Sequence, residues 1–126
     1  MAEAHLGAGD AARAREAVDR ALTSARQGGW RIEEIRGLLA RARVLLAAEG
    51  AAAAAEITTT LRDALALVET TEAHAFAPFL HVERAELARL TGDEASRERA
   101  LREAHRLFTV MGAPIRAEQV ARELEA

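Results

Sequence analysis

The chain has 126 residues, half of them apolar, which is length and apolar content enough for one domain with a buried core. It contains no cysteine, lysine or tyrosine, so a disulfide framework, thiol chemistry and the usual lysine and tyrosine nucleophiles are excluded. Its net charge of −3 argues against a nucleic-acid or anionic-membrane surface, since either needs an excess of clustered positive charge.

The chain is rich in alanine, the best helix former, and its aromatics are limited to one Trp and three Phe. Such small side chains fill space only when helix backbones approach closely. Glycine and proline punctuate the sequence. Gly9, Gly28-Gly29, Gly50, Gly92 and Gly112 follow helical stretches, where a left-handed residue commonly ends a helix. Pro78 and Pro114 suit first turns, where a missing N–H costs little.

Residues 2–8 make at most a stub of helix. Residues 10–27 carry Ala14, Val18, Ala21 and Ala25 at helical spacing, and residues 31–49 carry Ile32, Ile35, Leu38, Leu39, Ala42, Leu45 and Leu46. Residues 51–70 follow with Ile57, Leu61, Ala64, Leu65 and Val68, the alanine run 51–55 continuing the helix. Residues 75–91 show Phe76, Phe79, Leu80, Leu87 and Leu90; residues 93–111 show Leu101, Ala104, Phe108 and Met111. Residues 114–125 close the chain with Ala117, Val120, Ala121 and Leu124. No segment alternates with period two, so no sheet is expected. Gly9-Asp10 and Gly92-Asp93 both fit a glycine ending one helix and an aspartate capping the next. Glu16–Arg20, Glu98–Arg102 and Glu118–Arg122 are spaced to support outer faces.

Three segments superpose, Val18-x-x-Ala21, Leu61-x-x-Ala64 and Leu101-x-x-Ala104, and their alanines fall at near-equal intervals. A period of roughly 40 with two helices per unit is the sign of an α-solenoid, in which stacked neighbours make the core. The expected fold is all-α, antiparallel helix hairpins with a C-terminal capping helix. It divides into a partial repeat (1–29), two repeats (30–71 and 72–112) and a cap (113–126) whose outer face carries Arg116, Glu118 and Glu123.

Gly9-Asp10 with Ala14, Val18 and Ala21, and Gly92-Asp93 with Leu101 and Ala104 after Ala85-x-x-Ala88, resemble the second half of a tetratricopeptide (TPR) repeat. The unit is longer than the TPR unit and aliphatics stand at the family's aromatic positions, so the resemblance is to a TPR-like repeat. Residues 86–93, 101–108, 111–118 and 120–124 resemble the extreme C-terminus of bacterial signalling proteins that join a class III adenylate or guanylate cyclase, or a LuxR-type regulator, to an ATPase and a TPR-like tail. That resemblance implies a tail whose cyclase and ATPase domains lie elsewhere; this chain has no cyclase aspartate pair and no Walker motif.

Candidate chemistry is sparse. Gly7-Ala-Gly9-Asp-Ala-Ala12 reads as G-x-G-x-x-A, but a dinucleotide site needs a buried strand before it, and residues 1–6 read as helix. His74 and His81, with Glu72 and Glu83 nearby, do not assemble the three or four convergent ligands of a zinc site, and His5 and His105 lie on other helices. Ser24 and Ser96 lack a nucleophile elbow. Glu33-Glu34 reads as a solvated first turn. No cofactor and no catalysis are expected.

The expectation is a cytoplasmic protein–protein interaction or scaffold module; the alternative is an oligomerisation domain without a separate ligand. The first helix of each pair in TPR-like folds lines the concave surface, which places Arg36, Arg43, Phe79, Val82, Glu86 and Arg89 near a groove for a protein or peptide partner. The helix at 10–27, lacking a full partner, is expected to drive self-association through the N-terminal end.

Overall fold

The computed structural model describes residues 2–126, with side chains from residue 9 onward. Among these residues there are six α-helices and no strand: α1 Ala2–Gly28, α2 Arg31–Ala48, α3 Ala54–Thr71, α4 Ala77–Thr91, α5 Glu94–Val110 and α6 Pro114–Glu125. Short 3-10 turns, Gly50–Ala53 and His74–Phe76, precede α3 and α4. No helix is long and apolar enough to cross a membrane among the described residues.

Three connections are built alike. In each, a glycine with positive φ (Gly29, Gly92, Gly112) closes the preceding helix, and the next N–H reaches back to a carbonyl on that helix's last full turn. Trp30, Asp93 and Ala113 donate to Ala25, Ala88 and Phe108, each at 2.9 Å. These bonds satisfy carbonyls that a helix end leaves orphaned, and they reverse the chain within a short turn. Pro78 and Pro114 lie in the first turns of α4 and α6, as their fixed φ favours.

Asp93 caps α5. Its carboxylate accepts from the Ser96 backbone N–H at 3.1 Å and from the Ser96 hydroxyl at 2.7 Å. The hydroxyl bond first, then the backbone bond, hold the carboxyl below the ordinary aspartate value. A depressed folded value means the cap contributes stability above the ordinary value of ~3.9 and loses it as pH falls through the lower folded value. Asp93→Ala therefore lowers the urea midpoint at neutral pH, and the gap to wild type narrows as the medium is acidified below that window. A gap independent of pH would refute the capping role.

Helix contacts fix the arrangement. Arg26 meets Glu34 and Arg41 meets Asp19, so α1 and α2 run antiparallel. α2 and α4 run parallel, because Arg36 lies over the Phe76 ring, Arg43 pairs with Glu83, and Gly50 faces Leu90, all three at the same sequence offset. The core forms two clusters. The larger runs from Leu22 through α2 and α3 to Leu80; the smaller joins Ala85, Ala100, Leu101, Ala104, Phe108, Ala117 and Val120. Phe79 packs against both.

A charged knot ties α1 to the next two helices. The Glu56 carboxylate on α3 accepts from Arg15 of α1 at 2.7 Å and from Arg41 of α2. Arg41 also donates to the buried Thr60 hydroxyl at 2.7 Å. The outer-face pairs Glu16–Arg20, Glu98–Arg102 and Glu118–Arg122 are all present.

Several expectations need correction. Gly9-Asp10 is not a turn: α1 runs unbroken through both, so the expected stub and the helix after it are one element. Gly7 and Gly9 together cost the helix only about 1–2 kcal/mol, among flanks rich in alanine, the best helix former. Residues 2–28 accordingly form one helix and no hairpin. Ala21 is exposed and Val18 only half-buried, whereas Leu61, Ala64, Leu101 and Ala104 are all buried. The stripe of α1 that meets α2 runs through Ala11, Ala14, Val18, Leu22 and Ala25, and Ala21 falls beyond its margin. Ile32 and Met111, expected in the core, are exposed at 40% and 45% because each sits where the chain turns. Ala51–Ala53 form 3-10 turn rather than continuous helix.

Candidate functional site

α4 presents two opposite faces, and each faces a different surface. One face, with Phe79, Val82, Glu83 and Glu86, lies beside α2 and α6. Here the nominated residues do come together, but most are already engaged within the chain. Arg36 stacks over Phe76, with its guanidinium carbon 5.8 Å from the ring centre. Arg43 pairs with Glu83 at 3.0 Å. Arg89 donates to Glu86 at 2.6 and 3.0 Å, and that bond chiefly holds the Glu86 carboxyl below the usual glutamate value. Phe79 is half-buried, its ring edge-on to Phe108 at 5.1 Å, with Arg116 over it at 4.9 Å. Val82 is half-buried against the smaller cluster. Arg36, Arg43 and Arg89 keep much of their side chains in solvent.

The opposite face of α4 forms the floor of a groove of about 690 Å³ whose walls are α3 and α5. Its apolar lining comes from Leu61, Leu65, Leu87, Ala88 and Ala100. Arg62 reaches it from α3, Arg84 from α4 and Arg99 from α5. Ten of the chain's seventeen arginines hold a carboxylate within 4.0 Å. None of these three does, among the described residues. Arg62 bonds to the Thr59 hydroxyl at 3.3 Å, Arg99 to the Ser96 hydroxyl at 3.0 Å, and Arg84 lies 3.4 Å from the His81 ring.

His81 sits half-buried in the same groove. Burial first, then the Arg84 charge, lowers its pKa below the ordinary imidazole value; Glu103 pulls it up and Arg106 pushes it down. It is therefore neutral at pH 7. Glu103, also on the wall, is committed to Arg106 at 2.6 Å, the bond that chiefly lowers its own pKa.

Sequence reasoning did not find this groove. Its signal was faint but present: Arg62 and Arg84 have no acidic residue three or four positions away, while most arginines here do. His74 is exposed in the turn before α4, apart from His81. His5 and Gly7 of the G-x-G-x-x-A pattern lie outside the residues whose side chains are described; Gly9 of the same pattern is mid-helix. Among the described residues the exposed large apolar side chains are Trp30 and Ile32 at the α1–α2 turn and Val110, Met111 and Ile115 at the α5–α6 turn. Compared with known protein families, curated proteins and solved structures, the chain matches none.

Proposed function

We propose that the chain is a non-catalytic protein-interaction module built on a TPR-like stack of helix hairpins. It would serve as the tail of a multidomain bacterial signalling regulator acting in the cytoplasm. One observation carries the reading: α2 with the turn after it and α4 with the turn before it meet at one constant sequence offset, at Arg36–Phe76, Arg43–Glu83 and Gly50–Leu90. Stacked units related by one period offer partners an extended surface of equivalent positions. The assignment to a regulator's tail rests on residues 86–124 alone.

The α2–α4–α6 face is the first surface to test. The chain is immobilised and used to capture partners from a bacterial lysate, with Arg36→Ala/Arg43→Ala alongside. Capture weakens by about tenfold, the effect of ~1.4 kcal/mol, with helix content and molar mass unchanged. The fold survives because losing the partner of Glu83, which is 15% exposed, costs about 1–3 kcal/mol of the ~5–15 kcal/mol that a domain of this size holds. The alternative, an oligomerisation domain, draws on the apolar turns at Trp30–Ile32 and Val110–Ile115. It prevails if wild type captures nothing while its molar mass rises with concentration.

A further inference from the structure

We infer that the groove between α3 and α5 is a docking site for an acidic amphipathic helix of a protein partner. The inference rests on the reading of the chain as an interaction module and names a second surface for it.

The dimensions suit a helix. The lining takes in residues 54–65 of α3, 81–91 of α4 and 93–103 of α5. At 1.5 Å per residue each wall is ~15 Å long, three turns of an occupant. The α3 and α5 walls are bridged by α4 beneath them, so the groove is an open trough. An occupant there would lay apolar side chains on the half-buried Leu65 and Leu87, with the buried Leu61 and Ala88 beneath them.

Charge selects the occupant. The chain is acidic overall, yet Arg62, Arg84 and Arg99 reach this trough from three different helices with no carboxylate within 4.0 Å; of the two acids that also line it, Asp93 is bonded to Ser96 and feels the Arg99 charge, and Glu103 is paired with Arg106. Both walls run antiparallel to the α4 floor, and counting along them puts Arg62, Arg84 and Arg99 within about one turn of each other, ~5 Å along the trough. A helix with glutamates or aspartates on both flanks of its apolar stripe, spaced one turn apart, presents carboxylates to both walls at that level. Guanidinium–carboxylate pairing on an apolar floor gives register as well as affinity. His81, neutral at pH 7, adds no charge to the band.

The probe is a synthetic amphipathic helix of about four turns with a leucine stripe flanked by glutamates, fluorescently labelled, and a twin with glutamine in place of every glutamate. Binding to the full chain is read by anisotropy. The acidic helix binds, the twin binds at least ~10-fold more weakly, and R62Q/R84Q/R99Q weakens the acidic helix by ~10-fold or more. The charge-matched control R20Q/R102Q/R122Q, taken from the outer-face pairs, leaves binding as in wild type. Because the chain has no cysteine, a single label at Thr58→Cys on the trough wall responds to the probe.

Equal binding of the twin overturns the proposal, as does unchanged binding by the groove triple variant. So does displacement of the probe by millimolar inorganic phosphate, which would make this a small-anion site. A wild-type dimer that dissociates in the groove triple variant also overturns it, by giving the trough to a second copy. None of these results bears on capture through Arg36 and Arg43, which lies across α4, so the two readings fail separately.

Discussion

Phe108→Ala should remove about 3–5 kcal/mol of folding stability, a large share of the ~5–15 kcal/mol that a domain of this size holds. Phe108 is 2% exposed and is the bulkiest fully buried side chain. Its neighbours in the smaller cluster are mainly alanines: Ala85, Ala100, Ala104 and Ala117. Alanine has no rotamers with which to refill a cavity, so the loss falls towards the upper end of the range. The edge-on pairing with Phe79 disappears as well, and double-mutant cycles place such pairs at about 0.5–1.5 kcal/mol.

The same substitution reports on coupling between the two clusters. Phe79 is the side chain that touches both, and Phe108 is what holds its ring. With Phe108 gone, α5 and α6 should unfold before α1–α3. The single tryptophan, Trp30, sits at the α1–α2 turn and reports on the far end of the molecule. In wild type the tryptophan and circular-dichroism transitions in urea should coincide; in Phe108→Ala they should separate, with dichroism lost first. An unshifted midpoint would mean that Phe108 is not packed as described.

The all-helical architecture was readable in the sequence because its signals are local. Helical spacing of Ile35, Leu38, Leu39, Ala42 and Leu45, and of Leu101, Ala104 and Phe108, survives unchanged into the buried set. So do the glycine stops at Gly29, Gly92 and Gly112, whose left-handed backbone only glycine adopts cheaply. What was misread depended on neighbours rather than on the residue. Gly9 has the same sequence context as Gly92, an aspartate following, but only Asp93 has a serine, Ser96, placed to close a cap. Ile32 and Met111 continue the apolar period of their helices, yet they lie at turns where no other helix covers them. The arginine-lined trough is a property of three helices at once, and pair spacing along a single helix can show only that Arg62 and Arg84 lack local partners. Of the residues nominated on α2 and α4, Arg36 and Arg43 have their partners on the far side of a helix hairpin, where no local pattern could reveal them.

The proposed repeat is open to test by substitution at its three alanines. Ala64 and Ala104 are both fully buried, at 0% exposure, and each stands one turn after a buried leucine. Ala64→Leu and Ala104→Leu force extra carbons between helices whose close approach depends on small side chains, and each should cost about 1–3 kcal/mol. Ala21 follows Val18 at the same spacing but is exposed, so Ala21→Leu should stay within about 0.5 kcal/mol of wild type. The pattern of two large losses and one null, read as urea midpoints with unchanged slope, would mark α3 and α5 as equivalent positions and α1 as the odd member. Should Ala21→Leu cost as much as the others, α1 would have a covered second face and the interval from Ala21 to Ala64 would regain its meaning. Should only one of the two buried sites respond, the shared period would describe backbone placement without equivalent packing, and the stacked-repeat reading would lose its energetic basis.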